Sequence, residues 1–145
     1  MASRRKGRIL AFQALYSWEI HHCLGTLSPK KKIPEELLDF SWTDSKASLN
    51  EETRTFSRLL VTGTIENIKT IDKKIQEHLV NWEITRLNRV DLAILRISIY
   101  TLMFQSDIHP SIVIDEAIGI SKEFGSDDSY RFINGVLDNV KKTLV

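Results

Sequence analysis

The sequence contains a single cysteine, Cys23, and no apolar run long enough to cross a bilayer. One cysteine excludes an internal disulfide and is typical of proteins from a reducing cytosol. A membrane-spanning helix needs about eighteen consecutive apolar residues, which no segment provides. The basic start of the chain is interrupted by Gln13 and lacks a small-residue cleavage site. We therefore interpret it as part of the fold and not as a signal peptide, and expect a cytoplasmic protein.

Motifs that carry enzymatic chemistry are also missing from the sequence. It contains no phosphate-binding loop, dinucleotide-binding glycine pattern, HExxH helix or EF-hand loop. Two adjacent acidic pairs, at 115–116 and 127–128, do not converge as a general acid and base would. The run His21-His22-Cys23 resembles metal ligands, but consecutive residues do not share a helix face. We therefore interpret that run as a helix end, and predict a protein that is not an enzyme and holds no cofactor or metal.

The charge of the chain is distributed unevenly. With 145 residues, 42% hydrophobic and 27% charged, it fits one domain with a core, which we assign to residues 1–145. The net charge is +1, yet residues 19–145 carry −3, from 16 basic and 19 acidic side chains. The first eighteen residues contain four basic side chains and no acidic one. These four, called the basic cluster below, are Arg4, Arg5, Lys6 and Arg8.

The basic cluster lies where a helix tolerates cations poorly. A helix beginning near residue 3 would bring Arg4, Arg5 and Arg8 together, because residues three and four apart are neighbours. The helix dipole disfavours each cation at that end by roughly 0.3–1 kcal/mol. Bound phosphate would relieve the repulsion and release counterions, which favours a nucleic-acid partner. A solvated, disordered basic tail remains the alternative interpretation.

Apolar periodicity predicts an all-α protein. No segment shows convincing period-two alternation, and the pattern favours six or seven helices in a single compact bundle. The predicted helices are 9–22, a short one at 34–41, one long helix after an Asn50 cap that runs past Ile75, a turn at 82–86, then 88–105, 110–124 and a last helix after Gly125. The helix at 88–105 is apolar around almost its whole circumference, which indicates that its neighbours bury it.

The last helix begins with an unusual triplet, Tyr130-Arg131-Phe132, next to the polar segment 126–129. Single-stranded RNA is recognised by stacking bases on aromatic rings and arginine planes, which such a triplet could provide. Phe132 also continues a helical spacing with Val136 and Val140, so the pattern alone leaves burial of Phe132 open.

Four stretches of the sequence resemble the NusB family of bacterial transcription antitermination factors. They are AFQALYSWEI, WEITRLNRVDLAILRISIY, PSIVIDEAIGISKEFGSDDS and YRFINGVLDNV, and the likeness extends over residues 10–22 and 54–142. The resemblance implies two small three-helix subdomains and a non-enzymatic RNA-binding function. It also implies a heterodimer with the ribosomal protein NusE that binds boxA of nascent ribosomal RNA. With NusA, NusG and RNA polymerase, this pair would promote ribosomal RNA transcription.

The resemblance also implies the positions of the site residues. It places RNA contacts at both ends of the chain, with the starts of the first and last helices forming one surface. The implied RNA-binding residues are Arg4, Arg5, Lys6, Arg8, Tyr16, Asp128, Arg131 and Phe132. The implied contacts with NusE are Asp91 and Glu116. Two departures, Thr101 where many relatives have Glu and Asp115 where many have Asn, affect this expected partner surface.

Several alternatives stay open at the level of sequence. Some ribosomal RNA methyltransferases carry a similar RNA-recognition domain, although no strand-rich cofactor segment is present here. A protein-binding helical scaffold without RNA contact is another alternative. The lysines at 30–32 fit a solvated loop or an extra RNA contact, and some relatives form homodimers.

Overall fold

The structure is a computed structural model that describes residues 4–23, 35–40, 42, 50–80 and 83–144. Within these ranges the chain forms seven α-helices, one 3-10 helix and no strand, which confirms the all-α prediction. The helices are α1 (Arg4–Cys23), α2 (Glu35–Leu38), α3 (Glu51–Glu66), α4 (Ile68–Glu77), the 3-10 helix (Ile84–Arg86), α5 (Arg89–Phe104), α6 (Pro110–Phe124) and α7 (Ser129–Thr143).

The chain divides into two compact units, residues 1–63 and 64–145. The core of the first unit comes from α1, the α2 segment and α3. Its buried side chains are Leu10, Ala11, Phe12, Ala14, Leu15, Leu37, Leu38, Phe40, Phe56, Leu60 and Val61. The predicted Asn50 cap is confirmed, because its side-chain oxygen accepts a hydrogen bond of 2.8 Å from the backbone N–H of Thr53.

Helix α1 approaches α3 closely at Gly7. The Ser57 hydroxyl donates hydrogen bonds to the carbonyls of Gly7, at 2.9 Å, and of Thr53, at 3.0 Å. A Cβ atom at position 7 would lie only 2.6 Å from Cδ2 of Phe56. Glycine is therefore required at this point of α1 by the nearness of Phe56.

The prediction of a single long helix after Asn50 is wrong, because the helix is interrupted at Asn67. Helix α3 ends at Glu66 and α4 begins at Ile68, with Asn67 at φ −111° and ψ 19° as the residue before α4. Asparagine side chains compete with helical backbone hydrogen bonds, which makes them common at such breaks. The apolar spacing also predicted that Leu59 and Leu60 lie on one apolar face of this helix, but Leu59 is 49% exposed while Leu60 is fully buried. At this turn the buried side of α3 contains Leu60 and Val61, and Leu59 points away from it.

In the second unit α5 is the central helix, as its sequence predicted. Every residue from Asp91 to Thr101 is buried, and α4, α6 and α7 pack against it. Asn88 caps its start by accepting a hydrogen bond of 2.8 Å from the N–H of Val90. The apolar circumference ends at Phe104, which is 47% exposed. No helix in the described ranges is long and apolar enough to span a membrane.

Helices α6 and α7 follow the sequence expectations closely. Helix α6 runs from Pro110 to Phe124 as predicted, and the His109 ring nitrogen accepts a hydrogen bond of 3.1 Å from the Ser111 N–H at its start. Helix α7 packs on α6 and on α5. Its buried apolar residues are Ile133, Val136, Leu137 and Val140, whereas Phe132 remains 36% exposed.

Candidate nucleic-acid interface

The basic cluster forms the first two turns of α1, and its four members differ in accessibility. Arg4 and Arg5 are exposed and Lys6 is half-buried, but Arg8 is only 7% exposed. The first turn contains no acidic residue to offset the helix dipole. Three of the four predicted phosphate contacts are therefore accessible, and Arg8 lies largely inside the first unit.

The ring of Phe56 contacts the first and the last residue of the basic cluster, Arg4 and Arg8. The Cζ atom of Arg4 lies 4.3 Å from the centroid of the Phe56 ring, and that of Arg8 lies 5.5 Å from it. Both distances are within the range of a cation–π interaction, which contributes about 0.5–1 kcal/mol at exposed sites and more when desolvated. Phe56 therefore offsets part of the repulsion among the basic side chains, and between them and the helix dipole, at the start of α1.

Tyr16 lies two turns further along α1. It follows the helical spacing of the apolar residues in α1, such as Phe12, and the family resemblance put it among the RNA contacts. The structure leaves it 38% exposed, whereas Phe12 is buried at 4%. An aromatic ring with this exposure is available for stacking.

Two serines close the turn that precedes α7, and the residue before the helix, Asp128, does not cap it. The Ser129 hydroxyl accepts a hydrogen bond of 3.0 Å from the Ser126 N–H and lies 3.0 Å from the Ser126 hydroxyl. Asp128 precedes the helix but makes no side-chain cap hydrogen bond. Its carboxylate lies instead 3.9 Å from Nη1 of Arg131, and both side chains are highly exposed. The Asp128 carboxylate therefore faces Arg131 and not the N–H groups at the helix start.

Tyr130 holds two cations around its ring. Nζ of Lys122 on α6 lies 5.0 Å from the ring centroid, and Cζ of Arg131 lies 5.5 Å from it. Nε of Arg131 also donates a hydrogen bond of 3.0 Å to the Tyr130 hydroxyl oxygen, the largest cause of a raised pKa for Arg131. Lys122 was absent from the sequence-predicted site, and its contact with Tyr130 adds a cation to the triplet.

Phe132 and Asp91 line one hollow of about 380 Å³ in the second unit. Its other lining residues are Arg86, Leu87 and Asn88. The structure thus brings together a residue predicted to stack on RNA and one predicted to contact a protein partner. A hollow lined by an aromatic ring, a leucine and polar side chains suits an unstacked base.

The Asp91 carboxyl is buried and incompletely satisfied. It is 8% exposed, and Oδ1 has no hydrogen-bond partner within the described part of the chain. Burial raises the pKa of Asp91, and a side-chain hydrogen bond with Ser129 opposes that rise. A buried carboxyl oxygen without a hydrogen-bond partner is costly when ionised, which agrees with the direction in which burial moves the pKa of Asp91.

The second predicted partner residue, Glu116, lies on α6. It is half-buried, and its Oε2 likewise has no partner among the residues that the structure describes. Of the two family departures, Asp115 is exposed, but Thr101 is 1% exposed and donates its hydroxyl to the Ile97 carbonyl at 3.0 Å. Thr101 therefore lies in the core of the second unit. Its difference from many family members changes the packing of that core and not an exposed surface.

Some sequence expectations fall outside the described ranges. These are the lysines at 30–32 and the side chains of His22 and Cys23. Within the described ranges, no group of three or more His, Cys, Asp or Glu side chains is arranged to hold a metal ion.

Two contributors to the site, Phe56 and Lys122, were not predicted from the sequence. Each contacts a residue on another helix, and spacing along one helix carries no signal for such a contact. The burial of Arg8 was missed for the same reason, because it depends on α3.

Comparison with known proteins identifies the family. The sequence model of the NusB family matches residues 5–142. The transcription antitermination protein NusB of Treponema denticola is 51% identical over 138 residues, which are 95% of each chain. A structure of T. maritima NusB is 31% identical with a TM-score of 0.82, and the match covers 98% of this chain and 93% of that one. A crystal structure of the antitermination factors NusB and NusE in complex with dsRNA is 26% identical with a TM-score of 0.79, covering 97% and 96%. The resemblance seen in the sequence is thus confirmed over nearly the whole length, and this chain belongs to the NusB family.

Proposed function

We propose that residues 1–145 form one RNA-binding domain that acts as a non-enzymatic transcription antitermination factor in the cytoplasm. The observation that carries the proposal is the start of α1, where Arg4, Arg5 and Lys6 are accessible and the first turn of the helix contains no acidic residue. Membership of the NusB family supports it, because relatives such as that of Treponema denticola are named transcription antitermination proteins.

The proposed ligand is the boxA element of nascent ribosomal RNA transcripts, bound together with NusE. The solved complex of a related NusB contains both NusE and RNA, which supports this pair of partners. NusA, NusG and RNA polymerase complete the proposed assembly. Antitermination, and with it efficient ribosomal RNA synthesis, would follow from keeping this assembly on the polymerase.

We assign the site residues by their chemistry. Arg4, Arg5 and Lys6 contact phosphates and supply sequence-tolerant affinity, because their charges are accessible. Arg131 and Phe132 at the start of α7 position bases, since a half-exposed ring and a guanidinium plane are suited to stacking. That these two sets form one surface stays a prediction from the sequence.

The remaining predicted residues fit supporting roles. Tyr16 offers an exposed ring for stacking, and Asp128 faces Arg131 and orients it. The roles of Asp91 and Glu116 as contacts with NusE rest on the family resemblance; each has one buried carboxyl oxygen without a partner among the described residues.

The test is fluorescence anisotropy with a boxA-like single-stranded RNA, a scrambled RNA and a double-stranded RNA, with and without NusE. The variant Arg5→Glu/Lys6→Glu reverses two accessible charges of the basic cluster. The matched control is Lys69→Glu/Lys73→Glu, which reverses two exposed charges on α4. Arg8 is left unchanged because it is buried, and its reversal would damage the first unit.

We expect selective boxA binding that strengthens with NusE, collapses in the α1 variant and survives in the control. Equal binding to all three RNAs would contradict boxA recognition and leave a generic basic surface. Absence of RNA binding while NusE is demonstrably bound would overturn the RNA function and favour a protein-binding scaffold. Equal losses in the α1 variant and the control would show a response to net charge alone and would remove the basic cluster from the site.

A further inference from the structure

We propose that Phe56 is a positioning residue for RNA binding, whose ring holds the Arg4 guanidinium ready for a phosphate. The inference rests on the RNA-binding function proposed above and assigns a role to a residue outside the predicted site. Phe56 lies on α3, 52 positions from Arg4 in sequence, and the two meet through a ring contact of 4.3 Å.

Phe56 is placed to act through Arg4. The side chain is 7% exposed, so little of its surface is available to a nucleic acid, whereas Arg4 is exposed. The negative face of an aromatic ring attracts a guanidinium and leaves its outer edge open to phosphate oxygens. The Phe56 ring therefore fixes the direction in which the Arg4 guanidinium points, and the guanidinium contacts the phosphate.

The backbone of α1 fixes the position of the Phe56 ring. The Ser57 hydroxyl binds the Gly7 carbonyl at 2.9 Å, and the missing side chain of Gly7 lets α1 lie directly against Phe56. Arg8, 5.5 Å from the same centroid, is the buried member of the pair. The ring thus lies against one buried arginine and one exposed arginine.

Arg4 needs such a support because acidic residues lie close by. A hollow of about 400 Å³ beside the ring is lined by Arg4, Glu51, Glu52, Thr55, Phe56 and Leu59. Glu51 already lies 3.7 Å from Nη1 of Arg54. Without the ring contact, the Arg4 guanidinium could turn toward Glu52, which would compete with phosphate for it. Arginine also has considerable side-chain entropy, and holding it before binding lowers the cost of ordering it in the complex.

The test is a double-mutant cycle between Phe56 and Arg4, read out as RNA affinity and its salt dependence. Phe56→Leu removes the ring but keeps an apolar side chain, and Phe56→Tyr restores a ring. Each is made in the wild type and in the Arg4→Gln background. Fluorinated phenylalanine at position 56 forms a second series, because it keeps the shape of the ring while weakening its negative face. Circular dichroism and thermal unfolding report the folding of every variant.

In the wild-type background we expect Phe56→Leu to weaken RNA binding by roughly three- to tenfold and to reduce the log–log salt slope by about 0.7, the value of one single-strand phosphate contact. Phe56→Tyr should stay close to wild type, and progressive fluorination should weaken binding in steps. In the Arg4→Gln background these changes at position 56 should have little effect on RNA.

Equal losses in both backgrounds would overturn the inference, because they would show a structural role for Phe56 that is independent of Arg4. If Phe56→Leu does not fold, the fluorinated series decides, and its failure to alter binding would also overturn the inference. Wild-type protein that does not bind RNA would instead overturn the proposed function itself, so the two failures are distinguishable.

Discussion

Arg96 of α5 and Asp72 of α4 form a two-point ion pair inside the second unit. Nε of Arg96 donates to Oδ1 of Asp72 and Nη2 donates to Oδ2, each at 2.9 Å. The arginine side chain is 8% exposed and the aspartate side chain 28% exposed. This arrangement ties α4 to the central helix with a parallel pair of charge-assisted hydrogen bonds.

Removing the carboxylate should destabilise the second unit more than removing an exposed one. Asp72→Asn leaves the buried guanidinium without its countercharge, and we expect a loss of about 3 kcal/mol, because the partial exposure of Asp72 keeps the cost at the low end for buried pairs. Urea denaturation followed by circular dichroism measures this free energy. The control Asp138→Asn breaks exposed pairs with Lys141 and Lys142 and should change stability little. Equal effects of the two substitutions would contradict the importance of the buried pair.

Asp91 should give the protein a component of stability that falls as pH rises. Burial raises its folded-state pKa above the usual 3.8, so the folded state retains a proton that the unfolded chain has already lost. The stabilising contribution is therefore full below the unfolded pKa and disappears as pH rises through the folded pKa. Denaturant unfolding of the wild type and Asp91→Asn should show a stability difference that shifts in favour of the Asn variant from acidic to neutral pH. A constant difference across that range would contradict the raised pKa.

Two glycines should respond oppositely to the same substitution. Gly7→Ala places a Cβ 2.6 Å from Phe56, and the cost of overpacking, about 1–3 kcal/mol, exceeds the helix-propensity gain of alanine, about 1 kcal/mol. Gly135 lies inside α7 with nothing within 4 Å of such an atom, so Gly135→Ala should stabilise the protein by about 0.5–1 kcal/mol. Thermal and urea unfolding measure both. A stabilising Gly7→Ala would show that Phe56 moves away at little cost.

Phe132 should contribute to RNA affinity through stacking. Phe132→Ala removes a 36% exposed ring, and we expect binding to boxA-like RNA to weaken by about 1–3 kcal/mol with little change in salt slope. The control is Phe104→Ala, which removes an aromatic side chain of comparable exposure, 47%, at the end of α5. Anisotropy titrations at several salt concentrations separate affinity from slope. A loss confined to the slope, or shared by Phe104→Ala, would contradict the stacking role.

Helix ends marked by single residues and helices with a continuous apolar pattern were predicted correctly from the sequence. The bounds of α6 follow from Pro110 at its start and Gly125 after its end, and the burial of α5 follows from its continuous apolar circumference. The break at Asn67 was missed, because the apolar repeat continues through it and masks the weak helix propensity of one residue. For the site, the charges and the aromatic triplet were visible in the sequence. The burial of Arg8 and the supports from Phe56 and Lys122 were not, because they depend on packing between helices.

The close approach of Gly7 to Phe56 also determines which basic residues are presented together. If α1 slid by one residue along α3, Lys6 or Arg8 would meet the ring in place of the glycine, and neither side chain fits there. The glycine therefore favours the observed register over one shifted by a single residue. An insertion or deletion between residues 4 and 7 would leave α1 in place but rotate the preceding arginine by about 100°. The direction in which each residue of the basic cluster points therefore depends on its spacing from Gly7 as well as on its charge.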